Sequence, residues 1–263
     1  MKKILKALLV LILVALISVG GWFLYDGISS ANQFESRQPL TTLVEEVKAK
    51  ENYVPYDQVQ PALYQATLAI EDARYYDHGA IDIRALIRAF ASQFVPFIPK
   101  SGGSTISMQV VKNLYGQYDG TPVWKAAEIV LAHRLEQMYS KDEILSIYVN
   151  IINYGDNHHG IYDAAVGYFG VHPQDLTLPQ ATILAGIPQS PGYFQLSDHY
   201  DQAKAKQQLV LKAMVRNDML TQQDADLVYE QSIHDPTAKL EQQMDSIQSQ
   251  SLNTWTTPLA YVF

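Results

Sequence analysis

Ile70-Glu71-Asp72-Ala73-Arg74-Tyr75-Tyr76-Asp77-His78-Gly79 and, about thirty residues on, Gly102-Gly103-Ser104-Thr105-Ile106-Ser107-Met108-Gln109-Val110-Val111-Lys112-Asn113 are the two blocks that decide how this chain is read. The first closes an apolar segment with two adjacent carboxylates. The second sets a glycine pair and a hydroxyl pair before amide and ammonium groups, a combination suited to holding phosphate beside an acid–base group. Glycines let backbone approach a ligand closely, the hydroxyls can cap a helix starting near Ile106, and helix N-termini favour phosphate. Capping alone is the plainer reading of Ser104 and Thr105.

Helix signals spread outward from these blocks. Pro61 opens an apolar segment through Leu63, Ala66, Leu68 and Ile70. Asp82 begins another, with Ile83, Leu86, Ile87 and Phe90 on one face. Thr121-Pro122 is an N-cap followed by proline, opening a helix to about Tyr139. Ser140-Lys141-Asp142-Glu143 is a capping box for a helix to about Ile152. Gly160 to Phe169 reads as helix ending at Gly170, and Thr177 to Ile187 as a short one broken by Pro188. Tyr200–Met219 and Thr221–Ile233 read as a helical pair. No β-hairpin pattern or internal repeat stands out, so the expected domain is mainly α, spanning 53–234.

The N-terminus reads as an anchor. Lys2, Lys3 and Lys6 precede an apolar stretch from Ala7 to Tyr25, close to the roughly 20 residues that cross a bilayer as a helix. Residues 1–25 are therefore expected to be a cytoplasmic tip and a retained transmembrane anchor, in preference to a cleaved signal. The lysines would stay cytoplasmic and place the rest outside the cell membrane. Residues 26–52 read as a polar stalk, and 235–263, rich in Gln and Ser, as a tail open to disorder. Phe90, Phe94, Phe97 and Ile98, with Pro96 and Pro99, suit either a loop packed on the core or a lip dipping into the membrane.

Composition narrows the classes. Net charge is −8, against the basic footprint of a nucleic-acid binder. Charged residues are only 17% and apolar ones 48%, the former low against roughly 25% for soluble proteins. With no cysteine, disulfides, thiolate nucleophiles and Cys-ligated metals are excluded. No Ser-x-x-Lys, Lys-Thr-Gly, Walker loop or His-Glu-x-x-His occurs.

Glu71 is the candidate base, at the end of an apolar helix, and Glu128 the second carboxylate; two separated carboxylates are also the minimum for glycoside chemistry generally. A Lys125–Glu128 pair at i,i+3 is, by itself, an ordinary surface pair. Gln109 shares a helix face with Lys112 or Asn113, and Lys112 is the candidate cation for a pyrophosphate.

Taken in order with Lys125-Ala126-Ala127-Glu128, Lys141–Asn150 and Gly160–Gly170, the two blocks resemble the signature of the peptidoglycan glycosyltransferases (glycosyltransferase family 51), in its monofunctional branch, over about 54–215. The resemblance implies a lysozyme-like α-helical domain with a small membrane-associated jaw behind one transmembrane helix. It implies polymerisation of lipid II into glycan strands with release of polyprenyl pyrophosphate. Glu71 would be the general base on the acceptor 4-hydroxyl, and Glu128 would assist departure of the pyrophosphate, commonly with Mg²⁺ or Mn²⁺ as its metal. Asp72, His78, Ser104, Thr105, Gln109, Lys112, Asn113, Lys125 and Asn150 would bind substrate. Phe90, Phe94, Phe97 and Ile98 would meet the membrane. Implied partners are lipid II, the growing strand, the membrane and other cell-wall synthesis proteins. The chain departs from the family pattern at Ala80, Met108, Gly120, Trp124, Asn153, Asn157 and His159, thinning the cationic support that Arg134 or Arg74 would have to replace. These departures keep open a lipid II-binding scaffold that turns over poorly, and the carboxylate pair keeps open a glycan-cleaving enzyme.

Overall fold

The computed structural model describes residues 2–95, 102–118 and 120–233. In chain order its helices are α1 (Lys2–Arg37), α2 (Leu40–Lys48), α3 (Pro61–Glu71), α4 (Ile83–Phe94), α5 (Ile106–Leu114), α6 (Pro122–Met138), α7 (Lys141–Ile151), α8 (Ile161–Phe169), α9 (Leu178–Gly186), α10 (Pro191–Phe194), α11 (Tyr200–Arg216) and α12 (Gln222–Glu230). Among the described residues there is no strand, and one isolated antiparallel bridge joins Asn153 to His159. The mainly α expectation therefore holds. Phe97 and Ile98 of the expected lip, and the tail from 235, lie outside the described residues.

Local chemistry accounts for the helix starts. Thr105, Thr121, Thr177 and Thr221 each accept a hydrogen bond from the backbone three residues on. Asp82 does the same for α4, accepting from Ala85 N–H. Pro122 fills the first position of α6, where its missing N–H costs nothing. At α7 the capping box is complete: Glu143 N–H donates to Ser140 Oγ, and Ser140 N–H donates back to Glu143 Oε2 at 2.9 Å.

The chain forms two compact units, one from Met1–Lys50 with Tyr76–Tyr148, the other from Glu51–Tyr75 with Val149–Phe263. In the first, α6 packs against both α1 and α5. In the second, α3, α9 and α11 pack on one another, and α12 lies along α11.

The structure differs from the polar stalk read over 26–52. α1 continues without a break to Arg37 and docks on α6. The helices cross closely at Gly27, where a Cβ would stand 2.9 Å from Ala126, and Ala31 is buried one turn on. Phe34 then meets Trp124 edge-on with ring centroids 5.0 Å apart. Leu40, Leu43, Val44 and Val47 bury one face of α2 at helical spacing. Thr, Glu and Lys on the other face hide that stripe when the segment is judged by composition.

α1 is the one described helix long and apolar enough to cross a membrane, with the apolar residues of its first half exposed. α4 has an unusual disposition. Its apolar stripe, Ile83, Leu86, Ile87, Phe90 and Phe94, faces outward, Phe90 and Phe94 being 68% and 71% exposed, while Ser92 is buried.

Candidate active site

In the first unit, α5 and α6 bring three expected side chains into one hydrogen-bonded chain. Lys125 Nζ donates to Ser104 Oγ at 2.8 Å and to Glu128 Oε1 at 2.9 Å. Glu128 is 2% exposed, so the ion pair has a buried anion and a half-exposed cation. A carboxylate this deep needs a compensating charge, and Lys125, one turn earlier on α6, supplies it. The Lys125 side chain is 38% exposed, so the ammonium is reachable from solvent.

Along α5, Gln109 Oε1 accepts from Tyr148 Oη at 3.5 Å, and its backbone carbonyl accepts from Asn113 Nδ2 at 2.7 Å. Tyr118 Oη donates to Asn113 Oδ1 at 3.0 Å, and Lys112 Nζ lies 5.7 Å from the Tyr118 ring centroid. Desolvation pushes the Tyr118 hydroxyl up from its ordinary value, so it remains a donor at neutral pH. His78 meets the Gly79 carbonyl through Nδ1. Lys112, Gln109 and Asn113 thus share one end of α5 with an aromatic ring, an arrangement that can present ammonium and amide groups to phosphate or sugar.

In the second unit, Glu71 is the last residue of α3, half-buried, and Asp72 is the buried C-cap, its N–H bonded to Leu68 O. Two of the expected substrate ligands, Asn150 and Thr105, bond backbone groups. Both ends of the Asn150 amide are taken by Val54, whose N–H donates to Oδ1 at 2.8 Å and whose carbonyl accepts from Nδ2 at 2.9 Å. Asn150 is therefore a strap holding the segment before α3. Thr105 Oγ1 caps α5 and donates to Ala80 O at 2.7 Å, 1% exposed. Both bonding patterns have one cause: a short polar side chain that is buried satisfies the nearest backbone group.

The departures at Met108, Gly120 and Trp124 have physical reasons. Met108 is 2% exposed and fills the core of its unit. Gly120 has φ +64°, where a side chain such as arginine would be strained. Trp124 is 3% exposed between Phe34 and Tyr115. Burial, then the Glu35 charge, pushes the Tyr115 hydroxyl to about 12, with Arg134 opposing, and that hydroxyl donates to Gln38 O at 3.0 Å. Arg134 pairs with Glu35 and donates to Asn32 Oδ1. It braces α1 against α6.

Among the described residues, no group of three His, Asp or Glu side chains that could hold a metal includes Glu128. One carboxylate is nevertheless the protein share of many Mg²⁺ sites completed by phosphate oxygens and water.

Sequence reasoning missed Lys206, a buried lysine of α11 in the unit that carries Glu71. Its signal was positional: it falls on the buried stripe of α11 with Ala203 and Val210, where a lysine has no ordinary reason to be.

Residues 36–215 match the profile of the family described as Transglycosylase, and the chain belongs to that family. It is 38% identical over 191 residues to penicillin-binding protein 2D of Bacillus subtilis (strain 168), covering 72% of this chain and 28% of that one. It is 32% identical over 214 residues to penicillin-binding protein 1A of Neisseria lactamica, covering 79% and 27%. The chain spans between a quarter and a third of the length of these relatives. The crystal structure of penicillin-binding protein 1A from Haemophilus influenzae aligns over 47% of this chain and 19% of that one, at 23% identity and a TM-score of 0.34.

Proposed function

We propose that the chain is a membrane-anchored peptidoglycan glycosyltransferase that polymerises lipid II. Membership of the transglycosylase family supports the class of reaction. The observation that carries the reading is the Ser104–Lys125–Glu128 chain, which pairs a partly exposed ammonium with a buried carboxylate.

In the proposed step, Glu71 takes the proton from the acceptor 4-hydroxyl as that oxygen bonds to the anomeric carbon of the donor. The bond from that carbon to the pyrophosphate oxygen breaks, and its electron pair leaves on polyprenyl pyrophosphate. Lys112 and Lys125 stabilise the departing charge, because it grows in the transition state. Ser104, Gln109 and Asn113 orient the sugars and phosphates. Glu128 keeps Lys125 in place, and it would be the protein ligand of a Mg²⁺ or Mn²⁺ ion, which supplies further neutralisation of the pyrophosphate. The exposed stripe of α4 rests on the bilayer, α1 crosses it, and the lysines at positions 2, 3 and 6 stay cytoplasmic.

A second reading, a lipid II-binding scaffold with slow turnover, is favoured by Trp124 and Arg134, which bring no positive charge to the phosphates. Steady-state kinetics on lipid II separate the two. The enzyme reading expects glycan ladders from the wild type and a Lys112→Ala variant that loses donor use, with KM raised and melting temperature unchanged. Tight lipid II binding without ladders hands the protein to the scaffold reading.

A further inference from the structure

α1 is one helix of 36 residues, Lys2–Arg37, and no proline interrupts it before Pro39. Its two halves meet different surroundings. The apolar run from Ala7 to Tyr25 leaves Leu9, Leu11, Val14, Trp22 and Tyr25 exposed. At ~1.5 Å per residue that run spans about 28 Å, close to the ~30 Å hydrocarbon core of a bilayer. The run closes at Asp26, and the dock on α6 begins at the next residue. Gly27 lies against Ala126, where a Cβ would stand 2.9 Å from the carbonyl carbon, the carbonyl oxygen and Cβ. Ala31 is fully buried, Phe34 meets Trp124 with ring centroids 5.0 Å apart, and Arg134 pairs with Glu35 and donates to Asn32 Oδ1. Positions 27, 31 and 34 recur at helical spacing, so the dock runs along about two turns of α1.

These contacts remove the freedom that a flexible linker gives a domain above its anchor. A helix docked over two turns transmits the position of its apolar half to α6. The contact nearest the bilayer falls beside the chemistry: Ala126 follows Lys125, whose ammonium donates to Ser104 and Glu128. Gly27 is two residues past Tyr25, about 3 Å along the axis. Ala126 is therefore held within the headgroup layer, roughly 5–7 Å deep on each side of the hydrocarbon.

We propose that α1 is a rigid ruler: its dock at Gly27 fixes the Ser104–Lys125–Glu128 chain at the depth of the lipid phosphates. A donor pyrophosphate then meets Lys125 while its lipid tail stays in the bilayer. The catalytic meaning of that depth rests on the proposed glycosyl transfer; the depth itself does not.

The test has two arms, both with the full chain in vesicles of phosphatidylcholine and phosphatidylglycerol. The first reads depth. The chain has no cysteine, so Val123→Cys, at a position 45% exposed and close to Lys125 in sequence, takes a single fluorescent label. Nitroxides on the lipid headgroups are expected to quench it strongly. A helical seven-residue insert of Ala, Glu and Lys between Tyr25 and Asp26 lifts the dock by about 10 Å and should abolish the quenching. No quenching without the insert overturns the proposal, and so does quenching that the insert leaves unchanged. If the insert misfolds by circular dichroism, quenching of labelled Val123→Cys without it still decides.

The second arm reads chemistry. On lipid II embedded in the vesicles, the helical insert is expected to lower strand synthesis roughly a hundredfold, as for a displaced catalytic group. On a short-chain, water-soluble analogue of lipid II it should keep the wild-type rate. A Gly/Ser insert of the same length should recover much of the loss, because it lets the domain settle back onto the bilayer. Wild-type synthesis from embedded lipid II by the helical insert overturns the proposal, as does an equal loss on both donors, which marks a fault in the domain itself. A wild type that makes no strand from either donor removes the glycosyl-transfer reading and leaves the depth to the first arm.

Discussion

Thr105 and Trp124 show how single side chains stand in for what the family pattern leads one to expect. Thr105 was expected to bind substrate. Its hydroxyl closes the first turn of α5 and satisfies the buried Ala80 carbonyl. Thr105→Ala removes both, at about 1 kcal/mol for the cap and a further ~1–3 kcal/mol for the orphaned carbonyl. Chemical denaturation should show that loss, and an unchanged midpoint would contradict the assignment. Trp124 stands where the family carries an arginine, and restoring the arginine is expected to harm the protein. Trp124→Arg would put a guanidinium between Phe34 and Tyr115 and lose the packing of a buried indole, about 3–5 kcal/mol. Thermal unfolding should fall sharply with no gain in polymerisation. A variant that keeps its melting temperature and turns over faster would show that this site is open to the phosphates after all.

At the scale of elements, helix starts were legible and helix surroundings were not. A threonine, serine or aspartate followed by the right residues announces a helix because the cap bond is local. The starts at Asp82, Thr105, Thr121, Ser140, Thr177 and Thr221 are all of that kind. Which face of a helix is buried is settled by partners far away in sequence. The stripe of α4 could read as core-packed or membrane-facing, and it is exposed; the run from 26 to 37 reads as a stalk and is docked on α6. Lys206 was invisible for the same reason, since its hydrogen-bond partner Gln189 lies in the turn after α9, far away in sequence. Replacing Phe90 and Phe94 with serine should leave folding intact and weaken association with lipid vesicles, read by flotation of the chain lacking residues 1–25. Undiminished flotation would assign that stripe to a protein partner.

The capping box of α7 gives a pH signature. The Ser140 backbone N–H and then its hydroxyl hold the Glu143 carboxyl below its ordinary value of 4.5, with Lys48 adding to the effect against the opposing influence of burial. The folded value being the lower one, the stabilisation is full above 4.5 and is lost as pH falls through the depressed folded value. Glu143→Gln should therefore lower stability at neutral pH and narrow the difference from the wild type at strongly acid pH. A gap between the two that stays constant with pH would contradict the cap.

For the whole molecule, family and fold class were legible because ordered blocks of catalytic and capping residues recur along the chain. Individual site residues are harder to read from the sequence, because a polar side chain can serve either backbone or substrate. Glu128 is a buried carboxylate with its own lysine, Lys125, whereas Asn150 and Thr105 bond backbone groups, because an amide or hydroxyl serves backbone and substrate equally well. The account stands on Glu71 as the base of glycan polymerisation. The most direct test is incubation of labelled lipid II with the detergent-solubilised full chain, wild type beside Glu71→Gln, resolved on gels. Glycan ladders from the wild type alone, with Glu71→Gln folded and still binding lipid II, are the predicted result. Ladders from both proteins would contradict it.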